Sequence, residues 1–300
     1  MLARVIEILA DRYKVCTCDT CENVFVKSRG KVKKDKYIKV GDLVKLSKAD
    51  NEYVIESIEP RKNDYIRPSV ANIDYMFIVI AAGSPKPDFL LLDKQIMTAE
   101  HNKCEPIIVV NKTDLEGSEE ITEYIQNVYS NIGYKVIFTN TINQKLLNEQ
   151  VFKELPSGSL SAFSGNSGVG KSSIISKLKE ENVKLDINSI SEKTGKGRHT
   201  TKAVTVYSVL NNDNKVIYFL DTPGFSSYEI YNISSKELKH YYNEFNYFKC
   251  EYDDCNHINE DIKHCAVKQA VNDGKIDKLR YENYIKIYEE IKQKEKRLYK

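Results

Sequence analysis

The nine residues GNSGVGKSS (residues 165–173), led into by SLSAF (159–163), decide how this chain is read. They satisfy G-x-x-x-x-G-K-[ST], a phosphate-binding pattern with a physical logic. Glycines let the backbone curl so that several N–H groups point inward at phosphate oxygens, at a helix N-terminus that favours negative charge. The cradle is then Gly165, Asn166, Ser167, Gly168, Val169 and Gly170, continued by Ser173. Lys171 reaches the β- and γ-phosphates, and the Ser172 hydroxyl ligates Mg²⁺. An incidental glycine-rich turn would not need an apolar strand before it and the helical run KSSIISKLKEE after it.

Two further stretches extend the site. DTPG (221–224) ends the apolar strand KVIYFL, where a carboxylate can enter the Mg²⁺ shell. Asp221 takes that role, and the Gly224 N–H is placed to sense the γ-phosphate. NKTD (111–114) ends the strand PIIVV. An ionised Asp114 accepts from guanine N1–H and N2–H₂, Asn111 faces the O6/N7 side, and the Lys112 stem covers the base. Adenine would leave the carboxylate unpaired, so this turn selects guanine. Standing alone, either tetrapeptide reads as an ordinary polar turn.

The order of these elements is reversed. The guanine-reading turn normally follows the phosphate loop, and here it precedes it. A circular permutation gives this order without changing the assembled site, because domain termini commonly lie close together at the surface.

Around this centre the chain divides into three. Residues 1–67 carry five short alternating runs, RVIEIL, RYKVCTC, NVFVKSRG, YIKVGDLVKL and YVIESIEP, which predict a small β-barrel of the OB type. An SH3-like barrel has much the same pattern. Residues 68–227 alternate strands with helical stretches and predict an α/β unit, a parallel sheet with helices on both faces. Residues 228–300 show no convincing strand and predict helices around a Cys/His cluster.

NKTD, then GNSGVGKSS, then GKGRHTTK (195–202) and DTPG, resembles the RsgA family of circularly permuted GTPases, also called YjeQ or YloQ. The resemblance covers essentially the whole chain, including the barrel and CEYDDCNHINEDIKHCAVKQAV (250–271), similar to the family's zinc-binding region. It implies binding of GTP and GDP with Mg²⁺, one structural Zn²⁺, and GTP hydrolysis in late maturation of the small ribosomal subunit. This sequence departs from the family in two places. FTNTINQKLL (138–147) lacks the usual Ser-Ala and glycine of the guanine-backing loop, leaving contacts from residues 139–141 open, and the gap from His257 to Cys265 is long.

Phe225 stands directly after DTPG, where many GTPases place a water-orienting Gln, and a phenyl ring cannot accept from water as an amide does. Hydrolysis by the isolated chain is therefore expected to be slow. His199 is the nearest candidate to replace the Gln, with an RNA phosphate contact as its alternative role. Thr200 or Thr201 is the switch residue on Mg²⁺, with Thr201 favoured. A GTP-gated RNA-binding module with little turnover is the competing reading.

The seven cysteines include Cys250, Cys255 and Cys265, which with His257 form a tetrahedral zinc set, packed cysteines being the alternative. His264 is an alternative fourth ligand, made possible by the long gap, in place of Cys265 or another of the set. Cys16, Cys18 and Cys21 have no fourth ligand nearby, the first two are expected on one side of a strand, and ordinary barrel packing is expected of them.

The net charge of +2 excludes no partner by itself, so local clustering matters. KSRGKVKKDKYIKVGDLVKLSK (27–48) carries only Asp35 and Asp42 against its Lys and Arg, a footprint for an RNA backbone, with Phe25, Tyr37 and Tyr53 as stacking groups. A solvated lysine-rich surface is the bland alternative. No signal-peptide pattern opens the sequence, and its longest apolar run is far below the roughly 20 residues of a membrane span, so a cytoplasmic protein with no membrane partner is expected. A monomer is expected.

Overall fold

The computed structural model describes residues 1–29, 37–49, 52–140, 154–181, 204–210, 215–221 and 233–298. Strands β1 (Leu2–Ile8), β2 (Tyr13–Thr17), β3 (Asn23–Ser28), β4 (Leu43–Ala49) and β5 (Glu52–Ile58) close into a barrel in the order β1-β2-β3-β5-β4. β3 and β5 run parallel and the other pairs antiparallel, the pairing expected of an OB-type barrel. Alternation turns Ala3, Val5, Val15, Val26, Val44, Leu46 and Ile55 into its interior. A short ladder of β6 (Asp64–Tyr65) and β7 (Val70–Ala71) leads out of it.

The next unit is a six-stranded sheet, β10-β9-β8-β11-β13-β12. Its strands are β8 (Tyr75–Ala81), β9 (Glu105–Asn111), β10 (Lys135–Phe138), β11 (Leu160–Ser164), β12 (Thr205–Leu210) and β13 (Val216–Asp221). Apolar residues occupy both faces of the central strands. Phe77, Val79, Ile107 and Phe163 meet Ile174, Ile175 and Leu178 of α3 (Lys171–Glu181). Met76, Ile78, Ile108 and Val110 meet Leu92 and Ile96 of α1 (Phe89–His101) and Ile125 of α2 (Ser118–Ile125). Burial on both faces is why these strands read as continuous apolar runs. The wholly parallel sheet expected from the sequence needs one correction: β12 is antiparallel to β13. Five residues separate them, too few for the crossover that parallel strands need, so they form a hairpin.

From residue 233 onward the described residues contain no strand. Two 3₁₀ turns (Leu238–Tyr241 and Asn243–Tyr247), α4 (Ala266–Asn272) and α5 (Lys278–Leu298) build the unit. It docks on α1, whose Met97 and Leu90 join its core. At the centre of that contact Arg280, 2% exposed, donates from Nη1 to Asp93 Oδ1 at 2.6 Å and from Nε and Nη2 to the Glu244 carboxylate. Tyr129 and Asn283 also donate to Asp93, at 2.9 and 2.8 Å. The Arg280 guanidinium lies over the rings of Tyr129 and Tyr242.

Removing the guanidinium strands two buried carboxylates. Arg280→Ala is expected to lower unfolding stability by roughly 3–5 kcal/mol, read by urea denaturation; a loss below about 1 kcal/mol would assign the contact a surface-like role.

Candidate nucleotide site and candidate metal centre

Parallel strands β8, β9 and β11 end at one edge of the sheet, so the turns that follow them meet there. Open α/β sheets hold ligands at that edge. The phosphate loop leaves β11 with Gly165 at φ +131°, directly over β8; a Cβ there would lie 2.1 Å from the Val79 carbonyl oxygen. Gly170, at φ +102°, is equally constrained, since its Cβ would fall 2.2 Å from Asn111 Nδ2. Backbone approach this close admits only glycine.

Lys171, at the start of α3, donates from Nζ to Gly165 O at 2.7 Å and Asn166 O at 2.6 Å. Two of its three N–H groups are thereby used to aim the ammonium, and the third remains for an anion. Desolvation pushes its pKa down from the ordinary lysine value, a penalty that a bound phosphate would offset. Val169 is buried, whereas Ser167, Gly168, Ser172 and Ser173 are exposed along the rim. Asp221 is the last residue of β13, which neighbours the phosphate-loop strand.

The NKTD turn is fastened to this loop. Asn111, 1% exposed, donates from Nδ2 to Val169 O at 2.9 Å. Lys112, at φ +64°, donates from Nζ to Ser84 O at 2.6 Å. Thr113 donates through both N and Oγ1 to Thr139 O, at 3.3 and 3.2 Å, and Thr139 N donates to Val110 O. Asp114 stands exposed at the turn's end. The braces at Val169, Ser84 and Thr139 were not legible in the sequence, because each acceptor is a backbone carbonyl that any residue supplies. His199, Thr200, Thr201, Gly224, Phe225 and Thr141 lie outside the described residues.

In the C-terminal unit one ligand atom from each of Cys250, Cys255, His257 and Cys265 lies within 4.8 Å of the others. His257 Nδ1 is 3.5, 3.3 and 3.5 Å from the three sulfurs, and Cys250 and Cys265 are 3.9 Å apart. A tetrahedral zinc with ordinary bond lengths requires edges of about 3.6 Å for S···N and about 3.8 Å for S···S. The four groups fit such an ion. Burial holds His257 neutral, its pKa pushed down to about 4, and pushes the Cys255 thiol up to about 12. Thiolates in that setting require a cation. His264 is not part of the cluster, because its Nδ1 is paired with Glu251. Among the described residues no metal-type cluster forms at Cys16, Cys18 and Cys21. β2 ends at Thr17, leaving Cys16 buried against Tyr218 and Cys18 exposed, so the two do not share a side as the alternation suggested.

On the barrel Phe25 and Tyr37 are exposed; Arg12 lies 4.7 Å over the Phe25 ring and Lys48 5.5 Å from that of Tyr53. Arg12 lies outside the basic stretch noted in the sequence. Residues 30–36 of that stretch are outside the described residues.

A family model for the RsgA GTPase matches residues 58–231. A protein named small ribosomal subunit biogenesis GTPase RsgA, from Caldanaerobacter subterraneus subsp. tengcongensis, is 43% identical over 91% of this chain and 90% of its own. The protein of that name from Clostridium botulinum is 42% identical over 90% and 91%. Among solved structures, YjeQ from Thermotoga maritima aligns with a TM-score of 0.79 and 31% identity over 97% of this chain and 98% of its own. YloQ, described as a circularly permuted GTPase, aligns with a TM-score of 0.79 and 28% identity over 98% and 95%.

The Gly170 contact gives a direct check. Gly170→Ala is expected to separate Asn111 from the loop and weaken guanine-nucleotide binding at least about tenfold, measured by titration with a fluorescent GDP; affinity equal to the parent chain's would refute the close approach.

Proposed function

Because this chain belongs to the RsgA GTPase family, we propose that it binds the small ribosomal subunit and its rRNA and assists late maturation, hydrolysing GTP to GDP and phosphate with stimulation by the subunit. The observation that carries this reading is the bond from Asn111 to Val169, which sets a guanine-reading turn on a phosphate loop. In it, Asp114 reads the guanine N1 and N2 edge, and Asn111 offers its second N–H to the O6/N7 side. The backbone from Gly165 to Gly170, with Ser173, cradles the phosphates, and Lys171 supplies the third N–H that its two carbonyl contacts leave over. Ser172 and Asp221 hold Mg²⁺, with Thr200 or Thr201 as switch ligand and Gly224 at the γ-phosphate.

Catalysis depends on the subunit because this chain has Phe225 where an amide would orient the attacking water. The subunit aligns His199, in the segment 190–202, with that water. The barrel supplies the RNA-facing surface, where Arg12 and Phe25 join the basic stretch. The chain is read as a cytoplasmic monomer; among the described residues no helix is long and apolar enough to cross a membrane.

Cys250, Cys255, His257 and Cys265 hold one structural zinc. Four protein ligands leave no position for a substrate, so this ion organises the unit rather than reacting. Tyr281 and Tyr284 donate to the carbonyls of His257 and Asn256, both at 2.6 Å, and tie the ligand loop to α5.

Phosphate release measured with and without small subunits is expected to rise strongly with them and to vanish in Lys171→Ala. An unaltered single-turnover rate in His199→Ala would remove His199 from the mechanism. The purified chain is expected to carry about one zinc per molecule, lost in Cys255→Ser together with a fall in Tm on chelation; substantially less zinc would sink the ligand assignment.

A further inference from the structure

Gln95 has no part in any role assigned above. It occupies a core-facing position of α1, in the same stripe as Leu92, Ile96 and Ala99, where an apolar residue would fill the space. It is 1% exposed, yet among the described residues its Nε2 has no hydrogen-bond partner. An unmade buried hydrogen bond costs more than a made one gains, so a donor kept in this position calls for a partner.

Its surroundings identify that partner. Gln95 lines a narrow crevice that also touches Val79, Asp88, Leu92, Gly165, Asn166 and Val169, with room inside for about one water. The crevice thus runs along the turn that carries the Gly165 and Asn166 carbonyls, the two on which Lys171 rests. Two polar groups nearby already have partners. Asp88 caps α1 by accepting from Leu91 N at 2.9 Å, and Asn111 holds Val169 O. Each of the two carbonyls has two lone pairs, and Lys171 uses one of each.

We propose that Gln95 is a positioning residue for Lys171: its amide N–H, through one bridging water in the crevice, occupies the second lone pair of the Gly165 or Asn166 carbonyl and holds the lysine's seat. The carbonyls are then fixed from both sides while phosphate charge develops at the ammonium. The reaction is unchanged; what Gln95 supplies is preorganisation of a donor that acts in the transition state. This inference rests on the GTPase reading.

The test is Gln95→Leu, similar in size and without the amide, assayed for GTP hydrolysis with saturating small subunits. kcat is expected to fall about fivefold, with KM changing less than about twofold, and Tm is expected to stay level or rise, because an unpaired buried donor has been removed. Gln95→Met carries the same expectation should the leucine variant fail to fold. In the parent chain, the Gln95 side-chain amide resonance is expected to shift when a non-hydrolysable GTP analogue is added. A variant with the parent's kcat, a kcat loss that tracks a loss in Tm, or an amide resonance unmoved by nucleotide would each overturn the proposal. A parent chain that fails to hydrolyse GTP even with subunits overturns the GTPase reading, and this one with it.

Discussion

One buried hydrogen bond, from Asn111 Nδ2 to Val169 O, fastens the NKTD turn to the glycine-rich loop across 58 residues of sequence. The rest of the nucleotide site depends on it. Gly170 has to lack a side chain because Asn111 occupies that space, and Gly165 because the loop crosses β8 at the Val79 carbonyl. Thr139 fixes the far side of the turn through Thr113. None of these contacts refers to the order in which the chain was threaded. That indifference is what makes a permuted GTPase workable: parallel strands β9, β8 and β11 lie side by side whichever comes first.

The same sheet edge is linked to the C-terminal unit by α1. One side of the helix turns Leu92 and Gln95 towards the crevice under the phosphate loop. Another presents Asp93 to Arg280 and Asn283 of α5. An apolar contact could have joined these units with less desolvation, since a buried ion pair is weak support for stability. What the charged cluster adds is direction: Arg280 reaches Asp93 and Glu244 together only in one docking of α5 on α1. A sliding apolar surface would have accepted several.

Legibility in the sequence followed the chemistry of each part. The phosphate loop, NKTD and the Cys/His set were readable because their residue types are uncommon together and fixed in spacing. The barrel and the sheet were readable from alternation and apolar runs. Asp93, Glu244 and Arg280 were not, since single charges far apart read as solvated surface until the fold brings positions 93 and 280 into contact. Gln95 was hidden for a related reason: one polar residue within FLLLDKQIMTAEH looks like a gap in the apolar stripe. The antiparallel β12 is legible in chain length, because its five-residue link to β13 is too short for a crossover. His264 competed for the fourth ligand position on spacing alone; the fold gathers Cys265 with Cys250, Cys255 and His257 and pairs His264 with Glu251 instead.

The Cys/His cluster and the Arg280 ion cluster are gripped by adjacent faces of one helical turn and a half. On α5, Arg280 and Asn283 are three residues apart and meet Asp93, while Tyr281 and Tyr284, also three apart, hold the carbonyls of the ligand loop. Residues at that spacing share a face, so adjacent faces of the same turn grip the ligand loop and α1. Phe245 completes the junction, packing edge-on against both His257 and Tyr284. The ligand loop itself has little regular structure; Glu260 caps the N–H groups of Asn256 and Ile258, and His257 sits at φ +60°, a backbone state uncommon outside glycine. A loop in that state needs its ligands held from several sides. Tyr281, Tyr284 and Phe245 therefore do more than steady the loop: they join it to α5, the helix that presents Arg280 to the GTPase unit.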